Sequence, residues 1–403
     1  MNPTMTKPTL SDRISNLEES ATLQMAALAR QLQAEGKDVI SLSLGEPDFD
    51  TPEHIREAAK KAIDERYSHY TPVPGYMELR EAVCTKFKRD NNLDYTPDQI
   101  VTSTGAKQSI ANLIFCLVNP GDEVILPAPY WVSYAAQVQL AEGKIVEIPS
   151  SIHTDFKVTP EQLDAAITEK TKVVLFSSPC NPSGAVYSKE ELRGIAEVVA
   201  KYDDLYILAD EIYEHINFIG KHESIGQFDF IKDRVVTING LSKGYAMTGW
   251  RLGYIGAPTW IAKACTKMQG QFTSATCSVT QRAAITALTS DLTTTIEMRD
   301  AFLKRRNLVL ALMESIPGLQ VNVPEGAFYV FPNASAYFGT SDGTTKIENI
   351  DDLCMYLLHS ANVSLVTGSA FGNANCFRLS YAASEENLVE ALKRIKEALI
   401  KLS

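Results

Sequence analysis

Short runs of β-branched and aliphatic residues, interleaved with helical stretches, constrain this chain more than any other feature. Ile100–Val101 leads into Thr104-Gly105, Val124–Leu126 stops at Pro127, and Val173–Phe176 stops at Ser177-Ser178-Pro179. Leu205–Leu208 ends at Asp210, and Val235–Ile238 ends at Asn239-Gly240. Strands alternating with helices imply right-handed crossovers and a mostly parallel sheet, so the fold class is α/β. In such sheets ligands sit beyond the carboxyl ends of the strands. The polar and glycine breaks after each run are therefore the first places to look for chemistry.

The flanking segments have a different texture. Leu17, Leu23, Ala27, Leu28 and Leu32 recur at helical spacing, and the pattern predicts a helix over 17–35 ended by Gly36. After about Ser290 a long charged helix (Thr293 to Met313) precedes short strands around Gln320–Val323 and Phe328–Phe331. A helix near Asp351–Ser360 follows, then strands at Ser364–Val366 and Cys376–Tyr381 and a last helix from Ser384. A chain of 403 residues is long enough for two interlocked domains. The expected division is a large domain over 46–290, a smaller α+β domain over 291–403, and a segment 1–45 packing with the smaller one.

Composition excludes several classes. A net charge of -11 argues against a nucleic-acid surface, which would need a basic patch. No run approaches the roughly 18 consecutive apolar residues of a membrane helix. Met1 to Ile14 carries Pro, Thr, Ser and Asp where a leader would need an apolar stretch. The seven cysteines are dispersed, with no C-x-x-C or metal-like spacing, which reads as reduced thiols and no metal site. The expectation is a cytoplasmic protein with no membrane and no nucleic-acid partner.

The breaks themselves vary in what they say. Thr104-Gly105-Ala106-Lys107 joins a strand to a helix whose first amides suit a phosphate, and it reads equally as an ordinary connection. Asn181-Pro182-Ser183-Gly184 is a turn by composition and names no ligand. Asp210-Glu211-Ile212-Tyr213 puts two acids at the exit of a buried strand, which is costly unless something satisfies them. Asp210 and Tyr213, three apart, can turn toward one ligand, although Asp210 could equally cap a following helix. Lys243 sits just past a strand, among glycine, aromatic and apolar residues, with Arg251 eight positions on. That setting suits a partly desolvated reactive amine and a phosphate-binding guanidinium. In Phe377-Arg378-Leu379-Ser380-Tyr381, Arg378 and Ser380 share the strand face opposite Phe377, Leu379 and Tyr381. Arg378 could clamp a carboxylate, but a solvent-facing arginine is the default.

Gly240-Leu241-Ser242-Lys243 through Arg251-Leu252-Gly253 resembles the lysine-attachment signature of class I aminotransferases. Gly45-Glu46-Pro47-Asp48-Phe49, Tyr70-Thr71-Pro72, Pro129-Tyr130-Trp131-Val132-Ser133-Tyr134, Asn181-Pro182-Ser183-Gly184, Asp210-Glu211-Ile212-Tyr213 and Phe377–Tyr381 follow the family's order. The chain is most similar to the bacterial-type aspartate aminotransferases, a subgroup that includes prephenate and aromatic aminotransferases. The resemblance implies a fold-type I, pyridoxal 5'-phosphate-dependent transferase that works by a ping-pong mechanism on an amino acid, aspartate or glutamate, and a 2-oxo acid. It implies that Lys243 joins the cofactor and moves the proton, that Asp210 pairs with the pyridine nitrogen, and that Tyr213 and Asn181 bind the phenolic oxygen. Trp131 would stack on the ring. Gly105, Ala106, Lys107, Ser242 and Arg251 would hold the phosphate, with Tyr70 reaching it from the partner in a homodimer with shared active sites. Arg378 and Gly45 would bind the substrate α-carboxylate.

Two departures bear on specificity. Gly240 stands where other branches have a serine, which removes one phosphate hydroxyl. No second arginine is in place to read a side-chain carboxylate, and Lys107 is the candidate for that role. Rival readings are a prephenate or aromatic aminotransferase and a lyase on the same scaffold. A regulator fused to a DNA-binding domain would need basic residues ahead of Gly45, and a nicotinamide enzyme would need a G-x-G-x-x-G that is absent.

Overall fold

The computed structural model describes residues 10–403. Of the leader reading on Met1 to Ile14, and of the expected segment 1–45, the first nine residues lie outside this range. The strands are β1 (Ile40–Ser41), β2 (Ile100–Ser103), β3 (Glu123–Pro127), β4 (Lys144–Ile148), β5 (Thr171–Ser177) and β6 (Tyr206–Asp210). They continue with β7 (Val235–Gly240), β8 (Gly253–Gly256), β9 (Tyr329–Val330), β10 (Val363–Ser364), β11 (Val366–Thr367) and β12 (Phe377–Ser380).

The seven-stranded sheet has the order β2-β8-β7-β6-β5-β3-β4. Every pairing is parallel except those of β8, which runs antiparallel to both β2 and β7. The mostly parallel α/β expectation is met. Strand alternation divides the core. Val173, Leu175 and Leu208 pack on one face with Ile110, Leu113 and Ile114 of the helix Ala106–Leu117. Val174, Phe176 and Ile207 pack on the other with Leu192 and Ile195 of the helix Lys189–Val199. Covering both faces explains why these strands are continuous apolar runs. The register aligns Ser177 of β5 with Asp210 of β6, so the polar strand ends lie side by side.

A separate apolar cluster runs from Phe302 to Leu402 and takes in Leu42, Tyr213 and Ile216. Within this part of the chain β11, β12 and β9 form an antiparallel sheet, and β1 pairs in parallel with β10. Among the described residues, no helix is long and apolar enough to cross a membrane.

Several expectations need correction. The helix expected over 17–35 spans Ala21–Ala34, with a separate short helix at Asp12–Ser15; it does stop at Gly36, which has φ +87. Gln320–Val323 is no strand, only a bridge from Gln320 to Asn333. Ser364–Val366 is split between β10 and β11, which pair with different partners. β4 and β8 were not foreseen. β8 reads Gly-Tyr-Ile-Gly because neither end has room for a side chain. A Cβ on Gly253 would lie 2.2 Å from the Ala106 nitrogen, and one on Gly256 would lie 2.4 Å from the Tyr95 ring.

Candidate active site

The carboxyl ends of β2, β5, β6 and β7 open into a cleft of about 320 Å³. Gly45, Ala106, Lys107, Trp131, Asn181, Asp210, Tyr213, Ser242, Lys243, Arg251 and Arg378 all line it. Gly105 lies just behind, as the N-cap of the helix Ala106–Leu117. Tyr70 is not brought in. It is 98% exposed and lies in a separate surface depression with His69, Thr71 and Cys277.

At one end of the cleft the chain turns from β2 into that helix through Gly105, whose φ of +85 and ψ of 158 suit glycine alone. A Cβ there would lie 2.3 Å from Arg251 Nη2, so the missing side chain lets the guanidinium lie against the turn. Arg251 is fixed by Nη1 donating to the Thr248 carbonyl at 2.8 Å. The first amides of a helix have no intrahelical acceptor. Together with the Ser242 hydroxyl and Arg251 they form a donor set for a phosphate.

Across the cleft, Asp210 is 3% exposed and not a helix cap, since a turn follows β6. Tyr134 Oη donates to Asp210 Oδ2 at 2.7 Å, and the Ile212 amide donates to Oδ1 at 3.2 Å. Burial pushes its carboxyl up to about 6, against the pull of those two donors, and neighbouring Glu211 adds to the rise. A cation placed against Asp210 would relieve that cost.

Lys243 lies between these two ends. Its ammonium donates to the Gly45 carbonyl and sits 5.8 Å from the Tyr213 ring and 5.9 Å from that of Phe328. Part of its surface still meets the cleft, yet desolvation lowers the amine to about 8; Glu46 opposes this, and Arg378 and Arg251 reinforce it. Such an amine has an accessible neutral form near physiological pH, as a nucleophile or proton carrier requires.

Arg378 departs from the solvent-facing default, being 1% exposed. Both faces of β12 are covered, so alternation leaves it no solvent face. Nη1 donates to Asn181 Oδ1 at 2.9 Å and Nη2 to the Ser43 carbonyl at 2.6 Å, while Nε has no partner. The guanidinium carbon lies 4.5 Å from the Tyr329 ring and 5.0 Å from that of Phe371. Because Arg378 occupies Asn181 Oδ1, the Asn181 amide nitrogen is left to donate elsewhere. Lys107 is exposed along much of its length, with Nζ 4.9 Å from the Trp131 ring. Local desolvation and Arg251 draw its amine below the usual range.

Sequence reasoning assigned no role to two tyrosines that complete the site. Tyr134 holds Asp210; its place three residues after Trp131 was the available signal. Tyr329 meets Tyr213 hydroxyl to hydroxyl at 2.8 Å, and a Cβ on Gly45 would lie 2.5 Å from its oxygen. No local pattern marks Tyr329. The donor set fits pyridoxal phosphate: an anion cradle without a Cβ, a depressed lysine amine, and a buried carboxylate in want of a cation.

Comparison with known proteins agrees. The family model for aminotransferase class I and II matches residues 37–395. A bifunctional aspartate aminotransferase and glutamate/aspartate-prephenate aminotransferase of Petunia hybrida is 45% identical, covering 97% of this chain and 83% of its own. An aspartate aminotransferase of Bacillus subtilis is 44% identical over 98% of this chain and 100% of its own. The crystal structure of the aspartate aminotransferase from Rhizobium meliloti superposes with a TM-score of 0.95 at 43% identity, covering 98% of this chain and all of that one. The chain therefore belongs to the class I and II aminotransferases and has their fold-type I architecture.

Proposed function

We propose that this aminotransferase binds pyridoxal 5'-phosphate in the cleft and moves an amino group between aspartate or glutamate and a 2-oxo acid. The observation that carries the reading is one cleft holding a depressed lysine amine, a buried carboxylate and a buried, partly unpaired arginine. When bound, the cofactor supplies an electron sink that stabilises negative charge at the substrate Cα. The backbone amides of Gly105, Ala106 and Lys107, the Ser242 hydroxyl and the Arg251 guanidinium would hold its phosphate, and Trp131 would pack on its ring. Asp210, kept in place by Tyr134, would hold the ring nitrogen in its protonated form. Asn181, through its free amide nitrogen, and Tyr213 would donate to the phenolic oxygen.

Arg378 would grip the substrate α-carboxylate, using the nitrogen that has no partner, and the Gly45 backbone would bound the same subsite. That grip would align the Cα proton with Lys243, whose neutral amine would take it and return it two atoms away, across the transferred nitrogen. Lys107 is the cation left to meet a side-chain carboxylate, which favours acidic substrates. Leu23, Leu44 and Trp131 also line the cleft, and this apolar wall favours prephenate or an aromatic amino acid as a second reading.

The division at about residues 45 and 290 belongs to the same proposal, supported by the separate apolar cluster from Phe302 to Leu402 with Leu42. So does a homodimer in which Tyr70 completes the partner's phosphate site. Tyr70 at 98% exposure, Phe272 at 69% and Ile63 at 63% are surface that a second copy would cover. The seven cysteines are all unpaired, in keeping with a cytoplasmic protein.

Steady-state assays of Lys107→Ala with aspartate, phenylalanine and prephenate as substrates test the specificity. Aspartate kcat/KM is expected to fall roughly a hundredfold and phenylalanine less than threefold or so, in line with loss of one charge-assisted contact. Equal losses would remove Lys107 from substrate selection.

A further inference from the structure

Behind the cleft lies a second set of buried charges that the proposed chemistry does not use. The turn after β6 has two faces. Asp210 and Tyr213 line the cleft, whereas Glu211 and Glu214, each one residue further on, point the opposite way into protein. Glu214 contacts the ammonium of Lys86, and these side chains are 3% and 0% exposed. Glu211 Oε2 accepts from Ser224 Oγ at 2.6 Å and lies 3.0 Å from His222 Nε2. Asn91 bridges the two acids, with Nδ2 2.8 Å from Glu214 Oε2 and 3.1 Å from Glu211 Oε2.

Asn91 reaches this position through a break in regular structure. The helix Met77–Lys86 ends in a π-helical turn, Phe87–Asn91, which rotates Asn91 inward to 3% exposure. The network also touches the lysine loop. His215 Nε2 is 3.2 Å from Glu214 Oε1 and 3.5 Å from Tyr245 Oη, and its ring packs edge-on against that of Tyr245. A Cβ on Gly244, the residue after Lys243, would lie 2.9 Å from the His215 side chain. Burial raises the Glu214 carboxyl, but Lys86 and the two histidines outweigh it and bring the group down to about 2. Glu214 is thus held as a carboxylate against Lys86.

Stability alone is a weak reason for such a cluster, because apolar residues of the same volume often stabilise a protein as well or better. What an ionic cluster supplies and an apolar one does not is a single directional arrangement. We propose that Glu214 and Glu211, with Lys86, Asn91, His215 and His222, form a buried brace that positions the Asp210–Tyr213 turn against the Lys243 loop. The brace residues touch neither substrate nor cofactor; they are positioning residues. The inference rests on the roles proposed above for Asp210, Tyr213 and Lys243.

The test is the paired substitution Lys86→Met with Glu214→Met, which removes both charges and keeps bulk, examined as the cofactor-loaded enzyme and as the cofactor-free chain. The paired variant is expected to melt within a few degrees of wild type. Its kcat should fall at least roughly tenfold with KM nearly unchanged. The pH midpoint of the bound cofactor's visible band should move, and in the cofactor-free chain the amides of 211–215 and 243–246 should exchange roughly tenfold faster or more. A folded variant with unchanged kcat, midpoint and exchange overturns the brace. If the paired variant does not fold, Glu214→Gln decides on the same readouts. If neither folds, the cluster is a stability element and the proposal fails as well. Wild type lacking a cofactor band would instead refute the reading of the site, and the exchange comparison on the cofactor-free chain would still judge the brace.

Discussion

Asp210 is a carboxyl held at about 6 in a place built for its anion, so in the cofactor-free chain it costs stability. The sign follows from linkage. An acid whose folded pKa exceeds its unfolded value of 3.8 destabilises the fold above about 6, and the penalty fades as pH falls through 6 toward 4. The shift amounts to about 3 kcal/mol at neutral pH. Asp210→Asn, which can keep partners at Tyr134 and Ile212, is therefore expected to stabilise the cofactor-free chain at pH 7.5 by up to about that amount. The gain should shrink to nothing near pH 4, read from urea unfolding of both chains across the range. Turnover should fall at least roughly a hundredfold, because a neutral amide cannot hold the ring nitrogen charged. A variant no more stable than wild type at pH 7.5 would show that Asp210 is already compensated by the protein. Lys243 presents the mirror case, an amine that burial lowers to about 8.

Among the elements, the strand-to-helix turn at Gly105 has the least freedom. Its φ of +85 and the 2.3 Å approach to Arg251 leave no room for a methyl group. Gly105→Ala is expected to displace the mobile end of Arg251 rather than unfold the chain, at a strain of roughly 1–3 kcal/mol. Cofactor affinity, measured by titrating the cofactor-free chain with pyridoxal phosphate, should fall roughly tenfold or more, as expected for a lost charge-assisted contact. Unchanged affinity would take Arg251 out of the phosphate site.

The parallel strands were legible in the sequence because burial on both faces makes them continuous β-branched runs, and their polar exits marked most of the cleft. β8 was not legible, because its glycines serve close approach to Ala106 and Tyr95 and erase the strand signal. Alternation told which residues of β12 share a face but not that both faces are covered, so the burial of Arg378 was missed. Tyr329 reaches the site only through tertiary packing. The acids behind the turn were visible as a costly pair at a strand exit, but the lysine, asparagine and histidines that match them come from distant segments.

Across the whole molecule, the cleft takes residues from nearly every part of the chain, from Ser20 to Arg378. Arg378 meets Asn181 and the Ser43 carbonyl, so one guanidinium ties together segments 335 and 197 positions away. Tyr70 lies apart from this cleft, and its proposed role depends on a second copy. Such a site forms only when the chain is fully folded, and cofactor binding should stabilise the fold by mass action.

On the function proposed, this site carries pyridoxal phosphate on Lys243 and passes an amino group through it. The most direct test is the absorbance spectrum of the cofactor-loaded protein before and after adding aspartate alone, with Lys243→Ala as control. The expected result is a visible band that gives way to that of the aminated cofactor and returns on adding 2-oxoglutarate, with neither change in the control. A band that yields released product without the aminated cofactor, or no band after incubation with pyridoxal phosphate, would contradict the account.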